Sequence, residues 1–266
     1  RPLYYTPGDN EWTDCHKAAE GGNVLDAGGN PVDFANGDPA ANLDLIRSIF
    51  FRRPAMTLGK AIGVQSQGQH YFPSHSTDRK YVENRMWQKW GVQLVTLNIP
   101  GGSNNDQDAW FGAATETPAQ TQERNERNQA NLHWLDAAFA RARESDAKAV
   151  VIIAQADMWD PEKGASHLTG FEPFIAELAA KSLQFHKPVL MFNGDSHVFR
   201  SENPLDPNAA CTWEMATPCV PVANLHPGYN VPNFHRVVVH GSTFPLEWLK
   251  LSIDPRKNAP AGANAF

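Results

Sequence analysis

The stretch from Val92 to Asn193 most constrains what this chain can become. Val92–Ile99, Ala149–Ala154 and Val189–Asn193 are short runs rich in Val, Ile and Leu, closed by Pro100, Gln155 and Gly194. Between them, a helix over Thr121–Glu144 sets Leu132, Leu135, Phe139 and Ala142 on one stripe, and Phe171–Phe185 reads as a further helix. Strand, helix, strand, helix, strand is the βαβαβ rhythm of an α/β sheet, and uninterrupted apolar runs suit strands covered on both faces. In such sheets ligands gather at the carboxyl ends of the strands, so chemistry is sought there.

Elsewhere the signals are shorter. Leu3–Thr6 reads as another buried strand, and Val237–His240 with Trp248–Ile253 as an antiparallel pair near the C-terminus. Asp38 and Pro39 supply an N-cap and first-turn proline for a helix that carries Leu43, Ile46, Ile49 and Phe50 and stops before Pro54. Gly63 to Trp87, with His70 and His75, reads as a long surface excursion. No repeat interrupts the chain, so one domain over residues 1–257 is expected, followed by a small-residue tail over 258–266.

The 266 residues, 41% apolar and 20% charged, exclude disorder and coiled coil. A formal charge of −6 without a dense Lys/Arg cluster argues against a nucleic-acid partner, and no apolar run reaches the length of a membrane span. Cys211 and Cys219 bracket a short loop that could close as a disulfide, leaving Cys15 over; three reduced cysteines in a cytosolic enzyme is the open alternative. Eight Trp and 20 Pro lean towards an exported protein, periplasmic or secreted.

The residues after the strands are Gly8-Asp9-Asn10-Glu11-Trp12, Pro100-Gly101-Gly102-Ser103-Asn104-Asn105, Gln155-Ala156-Asp157 and Gly194-Asp195-Ser196-His197. Carboxylates, a carboxamide and an imidazole on one sheet edge make a donor set suited to Zn, Mn or Fe. Each loop taken alone also reads as a turn, because Asn, Asp and Gly tolerate tight backbone.

The segment Tyr4 to His16, YYTPGDNEWTDCH, resembles the third metal-binding block of the calcineurin-like metallophosphoesterases. The resemblance implies that Asn10 is a metal ligand and that Glu11, or nearby His16, protonates the leaving group. Phe192 to His197, FNGDSH, is similar to the family's last block, with Asp195 in place of its first His and His197 at its second. Gln155 stands where a metal-binding His normally ends the strand before it. Taken whole, the resemblance implies a four-layer α/β/β/α sandwich of two mixed sheets and a binuclear centre of divalent ions that hydrolyses a small phosphate ester. The family's first two blocks have no counterpart here, so a partial chain is expected, its N-terminal strands supplied by a missing fragment of the same protein. A Cys in that fragment is also implied, as a partner for Cys15.

Two rivals are weighed. Gly194-Asp195-Ser196 also spells the nucleophile block of GDS-type serine esterases, although no Asp-x-x-His follows it. The third reading is a catalytically inactive exported structural or binding protein on the same fold. Trp134 and Trp248 read as core or boundary aromatics, and Asn104 and Asn105 as turn residues with a chance position near a phosphate.

Overall fold

The computed structural model describes residues 1–101, 104, 108–241 and 247–254. The chain is mixed α/β, as the rhythm predicts. Its strands are β1 (Pro2–Leu3), β2 (Leu58–Gly59), β3 (Gln65–Ser66), β4 (Arg85–Lys89), β5 (Val92–Thr96), β6 (Ala149–Ile153), β7 (Val189–Asn193), β8 (Arg200–Glu202), β9 (Cys211–Trp213) and β10 (Phe234–Val238). The helices that matter below are α1 (Pro39–Phe50), α2 (Pro118–Glu144) and α3 (Glu172–Phe185). One eight-stranded sheet runs in the order β3-β4-β5-β6-β7-β10-β8-β9, and β1 pairs with β2 apart from it. Strands β5, β6, β7 and β10 are parallel and the flanking strands antiparallel.

Consecutive right-handed crossovers put α2 and α3 on the same face of β5-β6-β7. There Trp134, Leu135, Phe139 and Ala142 of α2 and Ile175, Leu178 and Phe185 of α3 bury against Val95, Val150, Ile152 and Met191. On the opposite face Val92, Val151 and Leu190 form a smaller cluster whose neighbours Leu94, Ile153, Phe192 and Val237 are only partly buried. The central strands therefore have one face roofed by helices and one partly covered.

Both long helices begin on the same local chemistry. Asp38 accepts from the Ala41 N–H at 2.8 Å before Pro39, and Thr117 accepts from the Gln120 N–H at 3.2 Å before Pro118. The Thr-Pro cap starts α2 three residues ahead of the expected Thr121. On α1, Leu43 and Ile46 are buried, but Ile49 and Phe50 are exposed, because the last turn runs past the small cluster of Trp12, Leu43, Ile46 and Phe51.

Several expectations are corrected. Leu3–Thr6 is not a buried strand of the large sheet: only Pro2–Leu3 pairs, with Leu58–Gly59. The open edge of β5 is taken by β4, through a hairpin turn at Trp90 and Gly91, both with positive φ. Tyr4 instead stacks on Trp87, 3.8 Å between ring centroids, and Tyr5 packs on Phe50 and Phe51. Gly63 to Trp87 is more than a surface excursion, since it carries β3, a 3-10 stretch over Pro73–Lys80 and the start of β4. The strand near the C-terminus is Phe234–Val238, parallel to β7 and antiparallel to β8. Residues 248–253 form no strand, and Trp248, 76% exposed, is no core residue. Asn105 and the tail 258–266 lie outside the described residues.

Cys211 and Cys219 are joined, which settles the pairing left open by their spacing. The bridge closes a short loop at edge strand β9. Replacing both by serine is expected to lower stability by ~2–3 kcal/mol through the freed unfolded chain. Urea unfolding reads this directly; an unchanged midpoint would contradict it. Cys15 is a buried free thiol, pushed up to about 11 by burial and by nearby carboxylates led by Asp33. No helix among the described residues is long and apolar enough to cross a membrane.

Candidate functional site

The loops after β5, β6 and β7 meet residues 7–12 at the carboxyl edge of the parallel strands. Gln155, just beyond β6, ties them together: its Nε2 donates to Asp9 Oδ1 at 2.9 Å and its Oε1 accepts from the Gly101 N–H at 2.5 Å. The approach is close enough to require glycine twice. A Cβ on Gly8 would press on Gln155 Cγ at 2.8 Å, and one on Gly101 would collide with the carboxylates of both Asp9 and Asp195. Asp9 and Asp195 thus face the same point above Gly101.

Asp195 carries the strongest electrostatic signature here. Burial pushes its carboxyl up to about 7, the neighbouring Asp9 adds to the effect, and the Asp157 N–H, 3.2 Å from Oδ2, opposes it. Asp195 and His197 both sit at positive φ, +78° and +60°, a conformation uncommon for non-glycine residues though more readily taken by Asp and His. Behind them Asp157 accepts from Ser196 Oγ at 2.8 Å and from the Trp159 N–H at 3.1 Å, and pairs with Arg236. Arg236, fully buried, also reaches Glu202 at 2.6 Å, which Arg200 holds in turn at 2.5 Å. Burial works against that charge, but Asp157 and Glu202 outweigh it and hold Arg236 above its usual range.

Of the residues singled out in the sequence, the structure brings Gln155 and Asp195 together, with Asp9 as the third member. Asn10 and Glu11 are exposed on the same short loop, where Glu11 Oε2 accepts from the Gly8 N–H at 2.7 Å. His197 is exposed two residues beyond Asp195. His16 is 5% exposed and turned elsewhere: its Nδ1 accepts from the Phe111 N–H at 3.1 Å, and burial holds its pKa below the usual imidazole value. Asn104 is buried against Arg127, Asn128 and Gly170.

Among the described residues, two groups of three side chains from His, Cys, Asp and Glu place ligand atoms close enough to share an ion, and neither includes Asp9 or Asp195. They are His75, Asp78 and His133, and Glu214, His240 and Glu247. In the second, both carboxylates converge on the same nitrogen, His240 Nδ1, at 2.7 and 2.9 Å. Sequence reasoning passed over these groups and over the pairing role of Asp9. His75 and Asp78 are only three residues apart, a spacing that could have been read, although His75 itself sits at a non-helical kink (φ −120°, ψ 54°). His133 lies 55 residues from Asp78, and nothing local announces it.

Comparison with protein-family models, with curated proteins and with solved structures returned no match. The functional reading therefore rests on the site itself.

Proposed function

We propose that this chain carries the catalytic edge of a divalent-metal-dependent phosphoesterase, with Asp9, Asn10, Asp195 and His197 around the ion and Gln155 as a tether. The observation that carries this reading is the Asp9–Asp195 pair. Two carboxylates aimed at one point, one of them pushed up to about 7, make a position short of positive charge. The Asp9 and Asp195 carboxylates face one point and could share one divalent ion, towards which the exposed Asn10 and His197 would have to turn; a binuclear centre would need ligands beyond those described. A bound ion would polarise a phosphoryl oxygen and acidify a water.

The chain's own groups supply the rest. Gln155 fixes Asp9 against Gly101, the Asp157 N–H orients Asp195, and exposed Glu11, steadied by Gly8, is the proton donor to the leaving oxygen. A phosphate-ester small molecule is the substrate class this implies. The four-layer sandwich belongs to the same reading: a second sheet would lie on the partly covered face of Leu94, Ile153, Phe192 and Val237. The disulfide is in keeping with an oxidising compartment, periplasmic or extracellular.

Ser196 argues for the metal reading over the esterase one. Its hydroxyl donates to Asp157, a carboxylate already paired with Arg236, whereas an esterase nucleophile hands its proton to an imidazole. A second reading, an inactive binding protein, draws support from Gln155, whose amide is spent on Asp9 and Gly101 at the position where the resemblance expects a ligand.

The test is hydrolysis of p-nitrophenyl phosphate and its bis-ester by the purified chain after chelation and after return of Mn²⁺ or Zn²⁺. Activity is expected only with metal and is expected to fall to background in Asp195→Asn. Hydrolysis indifferent to chelator, with a fluorophosphonate label on Ser196, would move the assignment to the esterase. Inactivity with metal would leave the binding protein.

A further inference from the structure

We propose a second metal site, separate from the strand-end carboxylates, in which His75, Asp78 and His133 bind one divalent transition ion of the zinc class. The three come from two elements: His75 and Asp78 from the 3-10 stretch Pro73–Lys80, and His133 from the middle of α2. One ligand atom from each lies within 4.8 Å of the others. Bonds of about 2.0–2.2 Å at tetrahedral angles set donor atoms roughly 3.3–3.5 Å apart, so closure around an ion draws the donors together by up to about 1.5 Å. Two imidazoles and one carboxylate, without a thiolate, are the donors a borderline cation takes.

The two imidazole rings lie face to face, 3.7 Å between centroids and 8° between planes. Each ring's lone pair lies in its own plane, so sharing an ion requires one ring to turn out of the stack. His75 Nδ1 is buried and has no hydrogen-bond partner, an idle donor atom beside a buried carboxylate. Asp78 is 2% exposed, and its Oδ2 meets His133 Nδ1 at 2.8 Å and Gln67 Nε2 at 3.3 Å. An ion would balance that carboxylate.

The outer groups are fixed as such sites require. Gln67 Nε2 also donates to the Ala130 carbonyl at 2.8 Å, and its Oε1 accepts from Asn84 Nδ2 at 2.8 Å. Asn84 continues to Asn131 Oδ1 on α2 at 2.9 Å. Gln67 and Asn84 are both buried, so the carboxylate is oriented by a network anchored in the helix that presents His133. The partly exposed rings leave room for water at the fourth position.

The test uses the full chain carrying Asp195→Asn, so that the strand-end carboxylates no longer compete, titrated with Zn²⁺ alone against a chromophoric chelator. One equivalent of tightly held Zn²⁺ is expected, with intense visible bands when Co²⁺ replaces it and a higher melting temperature. Adding His75→Asn or His133→Gln is expected to weaken binding at least ~100-fold and abolish the Co²⁺ bands. His75→Asn removes a ring whose Nδ1 makes no hydrogen bond, so its fold, checked by circular dichroism in chelator, is expected to persist. Retention of Zn²⁺ by folded His75→Asn, or absence of a zinc equivalent in the Asp195→Asn chain, overturns the site. Neither result depends on hydrolytic activity, so this site can fail while the phosphoesterase reading stands, and the reverse.

Discussion

Arg236→Met is expected to lower the unfolding free energy by about 3–5 kcal/mol, a large part of what a domain of this size has to lose. The arginine is fully buried and stands between the equally buried carboxylates of Asp157 and Glu202. Methionine fills much of the volume but leaves Asp157 without a cation, since Arg200 compensates Glu202 alone. Removing one partner of a buried pair costs more than the pair contributed, because the remaining charge keeps its desolvation penalty. Arg236→Lys keeps the charge but loses the fork that reaches both carboxylates, so a smaller loss of about 1–2 kcal/mol is expected. Urea unfolding of the three proteins decides the matter. A methionine variant with the wild-type midpoint would show that the network contributes nothing net.

Asp195→Asn is expected to act in the opposite sense, stabilising the metal-free protein near neutral pH. The Asp195 carboxyl is raised from 3.8 to about 7, so between those values the native state keeps a proton that the unfolded chain has released. Native stability therefore falls as pH rises through that window and levels off above about pH 7. Three units set a ceiling of roughly 4 kcal/mol; partial exposure and the shared charge with Asp9 reduce the expected gain to on the order of 2 kcal/mol. Thermal melts should show asparagine ahead of wild type at about pH 7.5 and level with it at about pH 4. Added Mn²⁺ should narrow the gap at the higher pH by stabilising wild type more than the asparagine variant. A gap of equal size at both pH values would detach it from this carboxyl. A stabilising substitution that removes activity is the pattern of a site held under electrostatic strain for function.

Much of the scaffold was legible because its signals are local. Val189–Asn193 is a strand over the residues its apolar run marks, and Asp38-Pro39 starts α1 where the cap chemistry places it. What misled was context. Tyr4 and Tyr5 have the composition of a strand, yet β4 occupies the edge they would need, and they bury their rings on Trp87, Phe50 and Phe51 instead. Trp248 and its neighbours alternate like a strand but have no strand beside them. β4 was hidden for the converse reason: Arg85, Gln88 and Lys89 make it look like a loop, and only the Trp90-Gly91 hairpin onto β5 turns it into sheet.

The candidate site divides along the same line. Asp195, Gln155 and the Gly-Asp-Asn-Glu loop could be found from the sequence because each directly follows a strand or a strand-like run, and strand ends are where α/β sheets collect function. That Asp9 rather than Asn10 meets Asp195, that His16 turns away to Phe111, and that Arg236 reaches back to Asp157 depend on contacts across 79 to 186 residues of chain. The same holds for His133 beside His75 and Asp78. Periodicity, caps and closing residues act over a few residues, so the sequence alone determined the α/β rhythm and the edge on which its polar loops lie. Which side chains meet, and so which carboxylate is driven towards neutral pKa and which imidazole is left with an idle nitrogen, is set by burial and distance, which exist only once the sheet is assembled.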